Sequence, residues 1–185
     1  MKKTVIMLLI ALFAAGITAA PKKPRPTTGR EVKKMTVRNI SIKSPAFKNM
    51  EYLPVKFTGD GAGVNPPLIF EKVPPNAKCL VLIMDDPDAP NGTFDHWLMF
   101  NIPPKIKEIK ENSTPAGAVK GKNSVGKLNY VPPSPPAGKP HRYIFKLYAL
   151  DRMLNLKEGA SKDSIEMAMQ GHVIAQTSLT GSYKR

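Results

Sequence analysis

The 185-residue chain has few of two residue types that often build functional sites, with one cysteine and three histidines. A single cysteine, Cys79, excludes an intramolecular disulfide. Cys79 begins the apolar run of residues 79–84, where a free cysteine usually fills space in the core, so nothing indicates a catalytic thiol. After residue 20, no stretch is long and apolar enough to cross a membrane.

The N-terminal segment has the three parts of a secretory signal peptide. It starts with Lys2 and Lys3, continues with an apolar run over residues 5–15, and ends with the small residues 18–20. The alternative, a transmembrane anchor, needs roughly 20 apolar residues, whereas this run has about 11. We therefore expect residues 1–20 to be a cleaved signal peptide. The mature protein would be periplasmic or secreted, without stable membrane insertion.

Acidic residues are scarce, and the excess of positive charge is concentrated after the expected cleavage site. Removing Lys2 and Lys3 leaves 26 basic against 14 acidic residues, a net charge of +12. Residues 21–35 are basic and proline-rich, which is typical of a disordered, solvated arm. The alternative is attraction to anionic head groups or other polyanions. No aromatic residue interleaves these charges, so we predict no nucleic-acid partner.

Residues 36–185 have the pattern of a mostly-β domain. Alternating or continuous apolar runs predict strands over residues 36–42, 55–57, 68–70, 80–84, 96–102 and 143–150. Proline and glycine predict loops over residues 59–67 and 85–92, and residues 103–142 are predicted to be mostly irregular. Strands in series with one confident helix favour an antiparallel or mixed sheet over a doubly wound one.

One helix is predicted near the C-terminus. Ser161 is a good N-cap residue. Ile165, Met169 and Val173 are spaced four residues apart, as in an apolar stripe that packs on a sheet. Gly181 is the predicted end of this helix.

Two of the histidines lie where a loop meets a buried strand. His96 follows the acidic loop of residues 85–92, and His141 follows a proline-rich loop. If the two strands are neighbours, both histidines can meet the acids of residues 85–88 in one cleft. The alternative is that each is a structural histidine, and we interpret His172, beside the helical stripe, in that way.

Several motifs follow one another in an order that identifies a family. They are Asp86-Pro87-Asp88-Ala89-Pro90, His96-Trp97, Phe100-Asn101-Ile102-Pro103, Pro135-Pro136-Ala137-Gly138 and His141-Arg142-Tyr143-Ile144-Phe145. In this order and spacing, residues 41–185 closely resemble the phosphatidylethanolamine-binding protein family, best its bacterial branch, the Raf kinase inhibitor-like proteins. The resemblance implies a central antiparallel sheet packed with a smaller sheet, few helices, and a small anion pocket.

The resemblance also assigns roles to individual residues. The implied ligand-binding residues are Asp86, His96, His141 and Tyr143, with Pro135 and Pro136 as a wall and Ala89 and Pro90 as a rim. Two positions depart from many relatives. Phe94 replaces a tryptophan, and Ser134, which we add to the pocket, replaces a glycine or cysteine.

The chemistry of this set fits an anion. Imidazole and phenol groups supply hydrogen-bond donors to a phosphate, and Asp86 can accept a proton from one histidine and so fix its tautomer. We therefore predict a binding protein for phosphate-bearing head groups or similar anions, with no cofactor. A protein-interaction or inhibitor module that docks a partner in the same pocket is the alternative.

Two further functions are weaker. A hydrolase would use Ser134 with a histidine and an aspartate, but the Gly-x-Ser-x-Gly elbow is missing. A metal site built from Asp86, Asp88, His96 and His141 lacks the usual ligand spacing. We predict neither an enzyme nor a metal site.

Overall fold

The structure is a computed structural model, and it describes residues 40–185. The signal peptide, the basic arm and residues 36–39 of the first predicted strand lie outside the described residues. The elements in chain order are β1 Ser41–Lys43, a 3-10 helix Val55–Phe57, β2 Leu68–Glu71, β3 Cys79–Asp86, β4 Phe94–Ile102, β5 Glu108–Ile109, β6 Val119–Lys120, β7 His141–Leu150, α1 Lys162–Met169 and β8 Val173–Tyr183.

Two antiparallel sheets form the domain, which confirms the predicted mostly-β fold. The central sheet has five strands in the order β6-β4-β3-β7-β8, and the smaller sheet has three in the order β1-β2-β5. Strand β3, in the centre, is buried along its whole length, as its continuous apolar run predicts. No helix among residues 40–185 has the length and hydropathy needed to span a bilayer.

The central sheet is covered on both faces because its strands alternate two apolar sets. Leu82 and Met84 face the main core, which includes the smaller sheet, whereas Val81 and Ile83 face a second core under α1. Helix α1 begins as predicted, with the Ser161 hydroxyl accepting a hydrogen bond from the backbone of Ser164. Cys79 is fully buried, as expected.

The predicted strand at residues 55–57 is wrong, because this segment is a 3-10 helix. Its turn is closed by the Phe57 N–H, which donates to the Pro54 carbonyl at 3.0 Å, and by the Thr58 N–H, which donates to Val55 at 2.9 Å. Pro54 has a φ of −56°, which starts the turn. An apolar-polar-apolar triplet fits a strand or a single helical turn equally well.

The predicted extent of the C-terminal helix is also wrong. Helix α1 ends at Met169, and Gly171, with a φ of +76°, turns the chain into a long strand, β8, that contains Val173 and Gly181. Gly181 lies within this strand opposite Tyr143, and a Cβ there would collide with the Leu53 side chain. Pairing with β7 therefore overrides a helical spacing that continues by chance past the end of the helix.

The predicted loop of residues 85–92 starts two residues too early, because Asp85 and Asp86 are the last residues of β3. Strands β4 and β7 likewise begin two residues before their predicted starts, at Phe94 and His141. The irregular stretch of residues 103–142 contains the two-residue strands β5 and β6. The acids and histidines therefore lie on strand ends, where the sheet fixes their backbones.

Candidate functional site

A cleft of about 190 Å³ opens at one end of the central sheet. Its lining contains eight of the nine predicted site residues. The lining residues are Asp86, Ala89, Pro90, Phe94, His96, Val131, Pro132, Ser134, Pro135, Pro136 and His141. Tyr143, the ninth predicted residue, lies behind His96, and the two rings meet edge to face with centroids 5.2 Å apart.

The antiparallel order of the sheet explains why these residues meet. Strand β3 pairs with β4 on one side and with β7 on the other. The end of β3 therefore lies beside the beginnings of both neighbours, and Asp86 is brought between His96 and His141. The two histidine strands, β4 and β7, are thus not neighbours, which corrects the condition assumed from the sequence: β3 lies between them and carries Asp86 to both histidines.

A β-bulge in β4 sets the position of His96. Met84 pairs with Trp97 while Asp85 pairs with Asp95, which leaves His96 as the extra residue. Strict alternation from Trp97 would put His96 on the face that packs under α1, and the bulge brings it to the cleft instead.

A buried carboxylate holds His141. Asp86 Oδ2 lies 2.7 Å from His141 Nδ1, and Asp86 Oδ1 accepts a hydrogen bond from the Asp88 backbone at 2.8 Å. Both side chains of the pair are at most 10% exposed. The carboxylate fixes the proton of His141 on Nδ1 and leaves Nε2 as the ring nitrogen for a ligand.

His96 is held by a neutral group instead. Its Nδ1 lies 2.7 Å from the Val131 carbonyl oxygen, which can only accept, so Nδ1 carries a proton. Burial of the ring, which is 5% exposed, lowers the pKa of His96 and favours its neutral form. Within residues 40–185, neither His96 Nε2 nor His141 Nε2 makes a hydrogen bond.

Tyr143, whose ring packs against that of His96, is the remaining predicted site residue. Tyr143 is fully buried, and its hydroxyl has no hydrogen-bond partner among the described residues. Burial raises the pKa of Tyr143, so the phenol stays protonated. Because a buried polar group without a partner is costly, this hydroxyl is a candidate contact for a ligand or a water molecule.

An ion pair fixes the rim of the cleft. Arg142 donates to Asp88 from Nε at 2.8 Å, from Nη2 at 2.7 Å and from its backbone at 2.9 Å. These contacts hold the pKa of Asp88 at about 2. The loop of residues 87–93 is thereby tied to β7, and the charge of Arg142 is balanced by Asp88 rather than directed at the cleft.

The opposite wall is a proline-rich loop supported from behind. The Gly59 N–H donates to Pro133 at 2.8 Å, and the Tyr130 hydroxyl donates to Phe57 in the 3-10 helix at 2.8 Å.

Ser134, at the mouth of this wall, makes no hydrogen bond to a histidine within the described part of the chain, so the geometry lacks the contact that a serine hydrolase needs.

Other candidate sites are less suited to chemistry. No group of three or more metal-ligating side chains is placed to hold an ion within residues 40–185. A larger groove of about 350 Å³ runs beside Asn65, Asn112 and Tyr130 but is lined by no histidine or carboxylate. His172 lies outside the cleft, with Nδ1 2.9 Å from Asp151.

Two lining residues, Val131 and Pro132, were not predicted. Val131 matters through its backbone carbonyl, and a backbone acceptor has no signature in side-chain identity. Phe94 was noted only as a departure from the family pattern, but its ring packs against His96 with centroids 4.7 Å apart. The aromatic wall is thus present with a smaller ring.

Comparison with known proteins identifies the family of this chain. A sequence model described as phosphatidylethanolamine-binding protein matches residues 43–184. The chain belongs to this family. It is 45% identical over 151 residues to a UPF0098 protein of Methanothermobacter thermautotrophicus, covering 79% of this chain and 99% of the relative. A UPF0098 protein of Chlamydia trachomatis is 40% identical over 151 residues, with the same shares covered.

Solved structures of the family have the same fold. A phosphatidylethanolamine-binding protein homologue from Chlamydia trachomatis superposes with a TM-score of 0.77 at 39% identity, covering 80% of this chain and 99% of that one. YbcL of Escherichia coli, described as a member of the mammalian family, gives a TM-score of 0.74 at 27% identity with the same coverage. The family and its fold are therefore established for residues 43–184.

Proposed function

We propose that this protein is an exported binding protein that holds a small anion, a phosphate or a phosphate-bearing head group, in the cleft between His96 and His141. The observation that carries the proposal is the buried Asp86–His141 pair at 2.7 Å. The carboxylate fixes a proton on His141 Nδ1, and the remaining ring nitrogen, Nε2, has no protein partner within the described residues. A protonated imidazole beside a ligand is a charge-assisted hydrogen-bond donor.

The lining of the cleft supports a small ligand that is partly apolar. Apart from Asp86, the two histidines and Ser134, the side chains are alanine, proline, phenylalanine and valine. Such walls exclude water around the polar contacts and so strengthen them. The cleft, at about 190 Å³, has room for a head group rather than for a whole lipid.

The proposal is tested by calorimetric titration of the protein with phosphate, phosphoethanolamine and acetate. We expect saturable binding of the phosphates and at least about a tenfold loss of affinity in His141→Ala, since a charged hydrogen bond contributes about 1.5–3 kcal/mol. His172→Ala is the matched control, because His172 also pairs with an aspartate but lies outside the cleft. No binding of any of the three ligands, or equal affinity in His141→Ala, would contradict the proposal.

The hydroxyl of Tyr143 gives an independent prediction. In Tyr143→Phe, the affinity for phosphate should fall by about threefold to tenfold, corresponding to one lost hydrogen bond. The unliganded protein should lose no stability, because the deleted group has no partner among the described residues. Titration and urea unfolding of the same variant check both parts. Unchanged affinity together with reduced stability would assign the hydroxyl a structural role.

The export part of the proposal rests on the first 20 residues. We expect N-terminal sequencing of protein made in an exporting host to find a mature chain that starts close to Ala20. The protein should be recovered outside the cytoplasm, because a basic start, a short apolar run and small residues are recognised and cleaved. Intact Met1 on cytoplasmic protein would rule this out.

A further inference from the structure

The two histidines of the cleft differ in what holds them, and the difference bears on which anions fit. His141 Nδ1 faces a carboxylate, whereas His96 Nδ1 faces a carbonyl oxygen. We propose that the cleft selects an anion that carries its own hydrogen-bond donor, as hydrogen phosphate does, because His141 donates to the ligand and His96 accepts from it. This inference rests on the function proposed above and specifies its ligand.

The surroundings of His96 favour a neutral ring. Its side chain lies between the rings of Phe94 and Tyr143, with centroids 4.7 Å and 5.2 Å away. With Nδ1–H donating to Val131, a neutral His96 has a lone pair on Nε2. The phenol of Tyr143 stays neutral and does not offset a positive charge on the imidazole.

Three carboxylates, Asp86, Asp95 and Asp85, favour the charged form of His96, but each contacts another charged or ionisable group directly. Asp86, the first of them, accepts hydrogen bonds from His141 and from the Asp88 backbone. The Asp86 carboxylate therefore contacts the imidazole of His141 directly, whereas it makes no hydrogen bond to His96.

The other two carboxylates, Asp85 and Asp95, are balanced by lysines. Asp85 lies 2.6 Å from the ammonium group of Lys146 and 3.2 Å from that of Lys162. Lys162 also lies 3.1 Å from Asp95. With these charges compensated, desolvation is the largest effect on His96 and keeps the ring neutral.

His141 is in the opposite situation. Asp86 contacts it directly, and the other charged groups near it, Asp88 and Arg142, neutralise each other in an ion pair at 2.7 Å. A bound anion on Nε2 and a carboxylate on Nδ1 then hold an imidazolium between two negative groups. The cleft therefore offers one strong donor and one acceptor to the same small ligand.

Sulfate and hydrogen phosphate test this arrangement because both are tetrahedral dianions of similar size, and only hydrogen phosphate carries a hydroxyl proton. Hydrogen phosphate can donate its hydroxyl to His96 Nε2 while an oxygen accepts from His141. Sulfate has only acceptor oxygens, so one of them faces the lone pair of His96 unless that ring is protonated. A site with an acceptor strongly rejects an analogue that lacks the matching donor.

The experiment compares the two anions by calorimetry at pH 8, where inorganic phosphate is mostly the dianion. We expect the wild-type protein to bind phosphate at least about tenfold more tightly than sulfate, which is a conservative value for one unmatched polar group. In His96→Gln the ratio should fall towards one, since an amide can donate as well as accept. In His141→Gln both anions should weaken while the ratio is preserved.

The outcomes separate this inference from the proposed function. Equal affinity for phosphate and sulfate in the wild-type protein overturns the inference but leaves an anion site, whereas binding of neither contradicts the function itself. Nitrogen-15 NMR of the wild-type phosphate complex provides a readout that needs no variant. We expect His96 Nε2 to show the shift of an unprotonated nitrogen, and a doubly protonated His96 would overturn the inference.

Discussion

Sulfate is expected to bind at least about tenfold more tightly at pH 6 than at pH 8, because binding an anion draws protons onto the histidines of the cleft. Nδ1 of each ring already faces Asp86 or Val131, so Nε2 can donate to sulfate only when the ring is an imidazolium. A bound anion favours the imidazolium, so affinity is greatest at low pH and falls as pH rises. Sulfate has a fixed charge over this range, which removes the ionisation of the ligand from the comparison.

The same titration on variants locates the effect. The difference should be largely lost in His141→Ala, which removes the imidazole paired with Asp86. His96→Ala should also reduce it, because sulfate can use His96 as a donor only when that ring is protonated. His172→Ala should keep the full difference. Equal sulfate affinity at both pH values in the wild-type protein would mean that both histidines stay neutral when the anion binds.

Replacing Asn101 with alanine is expected to lower the free energy of unfolding by about 2–5 kcal/mol, the largest stability effect we predict. Asn101 lies at the end of β4 and is 8% exposed. Its side chain donates to the Leu154 carbonyl at 2.8 Å and accepts from the Leu154 N–H at 2.8 Å. The substitution leaves both buried backbone groups unpaired, and each costs about 1–3 kcal/mol.

Asn112→Ala is the matched control for this prediction. Asn101 and Asn112 both adopt left-handed backbones, with φ of 54° and 51°, but Asn112 is exposed. Asn112→Ala should lower the free energy of unfolding by roughly 1 kcal/mol, because alanine is less favourable than asparagine in a left-handed backbone. Urea unfolding measures the free energy of unfolding that each variant loses. The difference between the two losses is the contribution of the hydrogen bonds to Leu154. Equal losses in the two variants would show that these bonds contribute nothing net.

Sequence patterns predicted well those parts of the fold that depend on local periodicity. Strands β3, β4 and β7 and the start of α1 at Ser161 follow from apolar runs and a capping residue. The errors fall where a partner decides the structure. Residues 55–57 form a turn that begins at Pro54. Residues 173–183 form β8 because they pair with β7, although the first residue of β8 continues the helical spacing. A pattern read along the chain does not contain those partners.

For the candidate site, the sequence by itself determined the residue types, their places at loop-to-strand junctions and, through the ordered motifs, the family. The tertiary structure decided how they are used. Antiparallel pairing brings Asp86 between the two histidines, and the bulge at His96 moves its ring from the helix face to the cleft. Only the folded chain puts the Val131 carbonyl on one imidazole and a carboxylate on the other. The protonation of a histidine depends on its burial and its neighbours in space, and residues 35 and 55 positions apart become neighbours only when the sheet forms.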